Sequence, residues 1–104
     1  MAENLRSELQ LAWQGQLNDR VTAIACAPDG RGWAASSAAG EVIWNAGLSE
    51  IVVLQKANGQ PIDRIAFSAD SRWLAAGGQA GQLLIWNCDD TNLPPQLVHK
   101  INFN

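Results

Sequence analysis

Apolar residues in this chain come in short runs broken by glycine, proline, aspartate and asparagine, a pattern of brief strands joined by tight turns. Val21 to Ala27 alternates apolar and small residues and predicts a strand. Pro28-Asp29-Gly30 ends it, because proline cannot donate to a ladder and Asp-Gly tolerates the positive φ of a hairpin turn. Trp33 to Ser37 predicts the returning strand, Ala39-Gly40 a turn, Glu41 to Asn45 a third strand, and Ser49 to Gln55, with its Ile51-Val52-Val53-Leu54 run, a fourth. The order then starts again. A loop at Asn58-Gly59-Gln60-Pro61 leads to strands over Ile62 to Ser68, Trp73 to Gly77 and Gln82 to Asn87, with turns at Ala69-Asp70-Ser71 and Ala80-Gly81. Leu93-Pro94-Pro95 makes a stiff connector, and Gln96 to Ile101 a closing outer strand.

Residues 5 to 14 fit two periods. Leu5, Leu9 and Trp13 fall at helical spacing, while Leu9, Leu11 and Trp13 alternate as in a strand. The stretch Leu9 to Gln14 precedes the first unit as Ile51 to Gln55 precedes the second, so it is read as a strand, followed by a loop from Gly15 to Arg20.

The strongest signal is the repetition itself. Trp44 and Trp86 lie 42 positions apart, each closing an apolar run that follows Ala-Gly and each followed by asparagine. Pairing Val21 to Asn45 with Ile62 to Asn87, with one gap in the first unit, gives 11 identities over 25 positions, among them Asp29/Asp70, Arg31/Arg72, Gly40/Gly81 and Trp44/Trp86. A period of this length marks tandem supersecondary units. The first unit is one residue short between Gly40 and Trp44. Strand side chains alternate faces, so either a turn or bulge absorbs the loss or part of the strand turns over, and a distortion is expected near Glu41 to Ile43.

Composition narrows the partners. Seven Lys and Arg against ten Asp and Glu leave a net charge of −3 with no basic cluster, which argues against nucleic acid. No run approaches the ~18 apolar residues of a membrane-spanning helix, and the polar start Met1 to Glu8 lacks the apolar core of a signal peptide. A cytoplasmic protein with no membrane partner is expected. Cys26 and Cys88 stand alone and read as ordinary buried or half-buried thiols; His99 is the only histidine. Neither catalytic, cofactor-binding nor metal-binding residues are assigned. Gly77-Gly78 with Gly81 lacks the helix and lysine of a phosphate loop. Asp29 and Asp70 read as turn residues, and Trp33, Trp44, Trp73 and Trp86 as buried core.

The strings Ala27-Pro28-Asp29-Gly30-Arg31, Leu74-Ala75-Ala76-Gly77-Gly78 and Gly81-Gln82-Leu83-Leu84-Ile85-Trp86-Asn87 resemble the WD-repeat β-propeller family. That family's pattern runs Ser-Pro-Asp-Gly, Leu-Ala-Ser-Gly-Ser and Gly-x-x-x-x-Trp-Asp. The resemblance implies an all-β fold of two four-stranded antiparallel propeller blades plus an extra outer strand, an incomplete propeller unless assembled. Its parts are an N-terminal tail (1–8), a latch strand and first blade (9–55), a second blade (56–101) and a C-terminal tail (102–104). The chain departs from the family where a Gly-His dipeptide and a turn aspartate are common. Leu17 and Asn58 stand at the histidine positions, Ala39 and Ala80 at the aspartate positions, and Asn45 and Asn87 follow the tryptophans. Blades held by packing, without a charged network, are therefore expected.

Propellers have ~4–8 blades, so two leave open faces, expected to be lined by Ile24, Ile65, Leu74 and Leu84. Large apolar patches rarely stay bare on a monomer. Further blades of a longer chain, copies of this chain in a ring, or a different protein are the three coverings. The resemblance implies a non-enzymatic protein-interaction scaffold, with Asp19, Arg20, Asp63 and Arg64 as a partner-binding rim at one end of the ring. The alternatives are a subunit of a catalytic or small-ligand propeller, with its site at a ring end or in the channel, and a remnant with no role of its own.

Overall fold

A computed structural model describes residues 20–46 and 51–103. Among these, β1 (Val21–Cys26), β2 (Trp33–Ser37), β3 (Val42–Asn45) and β4 (Ile51–Gln55) form one antiparallel sheet. A second is built from β5 (Arg64–Phe67), β6 (Trp73–Gly77), β7 (Gln82–Asn87) and β8 (Gln96–Asn102). Both are simple meanders, each strand pairing with the next, which is the expected plan of two propeller blades. The anticipated strand at Leu9 to Gln14, Trp13, and the first residues of the Ser49 to Gln55 strand lie outside the described residues.

Glycines set the turns. Gly40 and Gly81 take φ of 92° and 91°, and each donates its N–H back to the strand before it, Gly40 to the Ser37 carbonyl and Gly81 to that of Gly78. At Gly40 a side chain is excluded twice over, since a Cβ would also collide with the Asn58 side chain and the Gln60 carbonyl of the loop entering blade two.

Blade two packs one face against blade one through a single apolar layer. Ala34, Val42 and Trp44 meet Ile62, Leu74, Ala76, Leu84 and Trp86, with Ile65 and Phe67 half-buried beside them. The Trp44 and Phe67 rings lie 5.8 Å apart, tilted by 59°. Burying a large apolar side chain contributes about 1.5–3 kcal/mol, so this layer is the main bond between the blades. Leu74, Leu84 and Ile65, expected on an open face, belong to it because strand alternation sends them toward blade one; Ile24 is exposed. A smaller cluster of Trp33, Ala35 and Ile43 lies on the other side of blade one.

The residue missing from the first unit has a visible consequence. Both second turns close alike, with Ser37 and Gly78 donating to the carbonyls of Glu41 and Gln82. Counted from there, Ile43 takes the place of Leu84, and Trp44 that of Ile85, since Ala35 pairs with Ile43 as Ala76 pairs with Leu84. Trp44 thus arrives one position sooner than Trp86 and points to the opposite side of its sheet. Its trailing side, toward blade two, is where it packs; Trp86 points from the leading side of blade two toward blade one. The two tryptophans converge on one layer from opposite sheets. A register shift falls between Val42 and Ile43 in the β3–β4 ladder, within the segment where a distortion was expected, but full-length blade two has one in its matching ladder as well, between Ile85 and Trp86, and the β2–β3 ladder runs without interruption.

Three other expectations change. Trp73 is 40% exposed, because it precedes Leu74 and so faces away from blade one. Cys26, at the end of the edge strand β1, is exposed although its ladder partner Trp33 is buried, whereas Cys88 is buried. Blade one is not held by packing alone. Ser36, Ser37 and Glu41 are buried, with the Glu41 N–H donating to Ser37 Oγ (3.1 Å) and Ser37 Oγ to Glu41 Oε1 (3.2 Å). Thr22 and Ser36 hydroxyls share a 2.9 Å bond, and Thr22 also donates to the Ile62 carbonyl at the start of blade two. The network arises from residues outside the family's His, Asp and Trp positions.

Candidate functional site

Asp19 lies outside the described residues. Arg20 is exposed, and its carbonyl accepts from Ala38 N–H (3.0 Å), which sets it beside the second turn of blade one. In blade two, Asp63 N–H donates to the Gly77 carbonyl (3.1 Å), and Gln79 Nε2 reaches Asp63 Oδ2 at 3.4 Å. Asp63 and Arg64 share a shallow depression with Gly78, Gln82 and Phe103. The structure therefore brings two of the four rim residues together and puts Arg20 at the corresponding end of the neighbouring blade.

A second constellation is built on the Asp-x-Arg repeat, which the sequence displayed without revealing its task. In blade one, Asp29 Oδ1 accepts from Arg31 N–H (3.0 Å), closing the turn, and Asp29 Oδ2 accepts from Arg31 Nε (2.6 Å). Held this way, the guanidinium crosses to blade two. Its Nη1 donates to the Cys88 carbonyl (2.8 Å) and its Nη2 to the Ser71 carbonyl (2.7 Å). The Asp29 N–H donates to Ser71 Oγ (3.0 Å). Ser71 has φ of 62° where the first unit has Gly30 at 81°. A left-handed conformation costs a side-chain-bearing residue about 1–2 kcal/mol, and the bonds from blade one to its hydroxyl and carbonyl hold it there.

In blade two the same turn recurs. Asp70 Oδ1 accepts from Ser68 Oγ (2.6 Å) and from Arg72 N–H (3.1 Å). Arg72, however, folds back on its own blade and binds Asp89 with two bonds of 2.8 and 3.1 Å. The electrostatics follow the contacts. Partial desolvation of Asp29 is outweighed by its bonds with Arg31, so its carboxyl lies below the ordinary range. The Ser68 hydroxyl and then the Arg72 N–H lower Asp70, and the Arg72 side chain lowers Asp89. Burial pushes the Cys88 thiol up, away from the reactive thiolate.

The remaining feature is the trailing face of blade two. Leu83 and Ile85 alternate with the buried Leu84 and Trp86, and their ladder partners Gly77 and Ala75 share their side, with Arg64 and Ala66 next in line. A shallow concavity runs over it. The matching side of blade one, Ala34, Ser36, Val42 and Trp44, is buried under blade two. In blade one such groups meet a strand face and two backbone carbonyls of blade two, which is the chemistry of association between sheets. Among the described residues, no group of three or more His, Cys, Asp and Glu is placed to hold a metal ion.

Comparison with known proteins agrees with this geometry. Residues 50–87, which run from β4 through β7, match the family model described as WD domain, G-beta repeat. Among solved structures, the complex of KlAtg21 with the coiled-coil of AgAtg16 contains a chain that superposes with a TM-score of 0.57 at 22% identity. The match covers 84% of this chain and 28% of that one, so the present chain spans little more than a quarter of its neighbour's length. No curated protein matches.

Proposed function

We propose, from the match of residues 50–87 to the WD-repeat model and from the two blade-like sheets, that this chain is a non-enzymatic, cytoplasmic protein-interaction scaffold and one section of a ring that further blades complete. The observation that carries the reading is the unequal treatment of equivalent faces: blade one's trailing side is sealed, while the same side of blade two presents Leu83, Ile85 and Trp73 to its surroundings. The solved neighbour is a complex with a coiled-coil protein, which supports a protein partner here too. Charged loop residues on a rigid scaffold are common binding positions, and Arg20, Asp63 and Arg64 form the partner-binding rim in this reading, with Asp19 as its fourth member.

The test is quantitative affinity capture with the full chain beside its D63K/R64E variant, with circular dichroism to confirm that both fold. Capture of a defined protein by the parent and its loss with the folded variant is the expected result. Identical capture by both proteins would contradict the rim assignment, and a turnover assay that detects chemistry dependent on the chain would contradict the non-enzymatic reading.

A further inference from the structure

We infer that the trailing face of blade two is the seat of a further WD-type blade, and that Arg72 is the residue that fastens it. This rests on the propeller reading above and adds to it a place and a contact. The warrant is an interface already present in the molecule. Blade one uses Ala34, Ser36, Val42 and Trp44 to receive blade two, and uses Arg31 at the margin to grip two of its carbonyls. Blade two repeats both parts. Ala75, Gly77, Leu83 and Ile85 occupy the corresponding positions counted from the turns, and Arg72 springs from an Asp-anchored turn of the same geometry.

What differs is occupancy. The Arg31 side chain is 25% exposed and spans the seam; that of Arg72 is 59% exposed and rests on Asp89. An ion pair this exposed contributes little in water, so exchanging it for carbonyls in a closed seam meets small resistance. The incoming unit must then offer what blade two offers to blade one: an apolar leading face of the Phe67, Leu74 and Leu84 kind, and a turn carbonyl where Ser71 has its own. A second copy of this chain matches this poorly, because on the leading side of its blade one Trp33, Ala35 and Ile43 are already buried and only Ile24 and Cys26 of the edge strand are exposed. The occupant is a further blade, with its leading face free.

The experiment supplies such a blade of known sequence. Residues 56–103 are duplicated and joined after Asn104 of the full chain by a short Gly-Ser linker. Hydroxyl-radical footprinting then reads side-chain accessibility, and urea unfolding reads stability, with Arg31→Met and Arg72→Met made in both chains. The expected results are a several-fold fall in labelling of Trp73 and Leu83 of the parent's own blade two, told from the appended copy by segmental isotope labelling, and a switch in Arg72→Met of that same blade. That substitution leaves the urea midpoint of the parent unchanged and lowers that of the extended chain as far as Arg31→Met lowers the parent's.

Persistent labelling of both residues, an appended unit that stays unfolded on an intact parent, or an Arg72→Met substitution that is silent in both chains would overturn the inference. So would self-association of the parent, seen by light scattering, that protects Trp73, since the occupant would then be a second copy. None of these readouts involves the rim or an outside partner, so failure here is distinguishable from failure of the capture experiment.

Discussion

Ser71 shows how one residue records the joining of two blades. Its left-handed backbone would suit glycine better, as Gly30 shows at the same turn of blade one, yet its hydroxyl accepts the Asp29 N–H and its carbonyl accepts Arg31. Ser71→Ala keeps the backbone cost and removes the acceptor, and is expected to lower stability by about 1 kcal/mol. Ser71→Gly removes both and is expected to be close to neutral; urea unfolding of the two variants checks the pair. Asp29 gives the acid-side counterpart. Its carboxyl titrates below the ordinary value in the folded chain, so the stability it contributes is fully present above about pH 4 and is lost as pH falls through the lowered folded value. A urea midpoint followed from pH 6 to pH 2.5 should fall more steeply for the parent than for Asp29→Asn. Turn roles for Asp29 and Asp70 were legible in the sequence because Asp before Gly or Ser at a strand end has a local explanation. The reach of Arg31 was not, because its acceptors are backbone carbonyls, which leave no trace in residue identity. Glu41 escaped for a related reason: one position past a turn glycine it looks solvated, and only Gln82 at the same place in the second unit, also buried, hints that the site is an interior one.

At the scale of the strand, the hairpin between β2 and β3 carries the clearest consequence of sequence spacing. Aligning Trp44 with Trp86 is correct for residue type and misleading for direction, since hairpin register is counted from the turn and an odd offset turns a side chain over. The sequence announced the missing residue, and the register shift at Val42/Ile43 lies in the anticipated segment, although blade two has one in its matching ladder as well. It did not announce that the β2–β3 ladder would stay regular and that Trp44 would serve the opposite side of its blade. Inserting one alanine after Glu41 restores the spacing of the second unit but swings Trp44 away from Phe67. The expected outcome is a loss of about 3–5 kcal/mol, that of emptying a buried aromatic position, read by urea unfolding together with loss of the near-ultraviolet tryptophan signal. A stabilised insertion variant would show that the short spacing is a defect and not part of the packing. Gly40→Ala meets both an unfavourable φ and a collision with Asn58 and Gln60, and should loosen the approach of blade two's entry loop.

At the scale of the molecule, the described residues form a closed apolar layer between two blades, and the trailing face of blade two carries exposed and half-buried apolar side chains. The repeat made the blade count and the incompleteness legible, because 42-residue spacing and turn chemistry are local properties of the chain. Which apolar residues are sealed depended on strand direction across the seam. Ile65, Leu74 and Leu84 were thus assigned to an open face, whereas the side chains on the outward side of blade two are the exposed Trp73 and the half-buried Leu83 and Ile85. The measurement that bears most directly on this account is hydroxyl-radical footprinting of the full chain alone, resolved to individual tryptophans by mass spectrometry. Trp44, 6% exposed, and Trp86, 1% exposed, should remain unlabelled until the chain unfolds, while Trp73 is labelled from the native state. Labelling of Trp44 and Trp86 at the rate of Trp73 would mean that the blades are not joined through this layer, and would contradict the account.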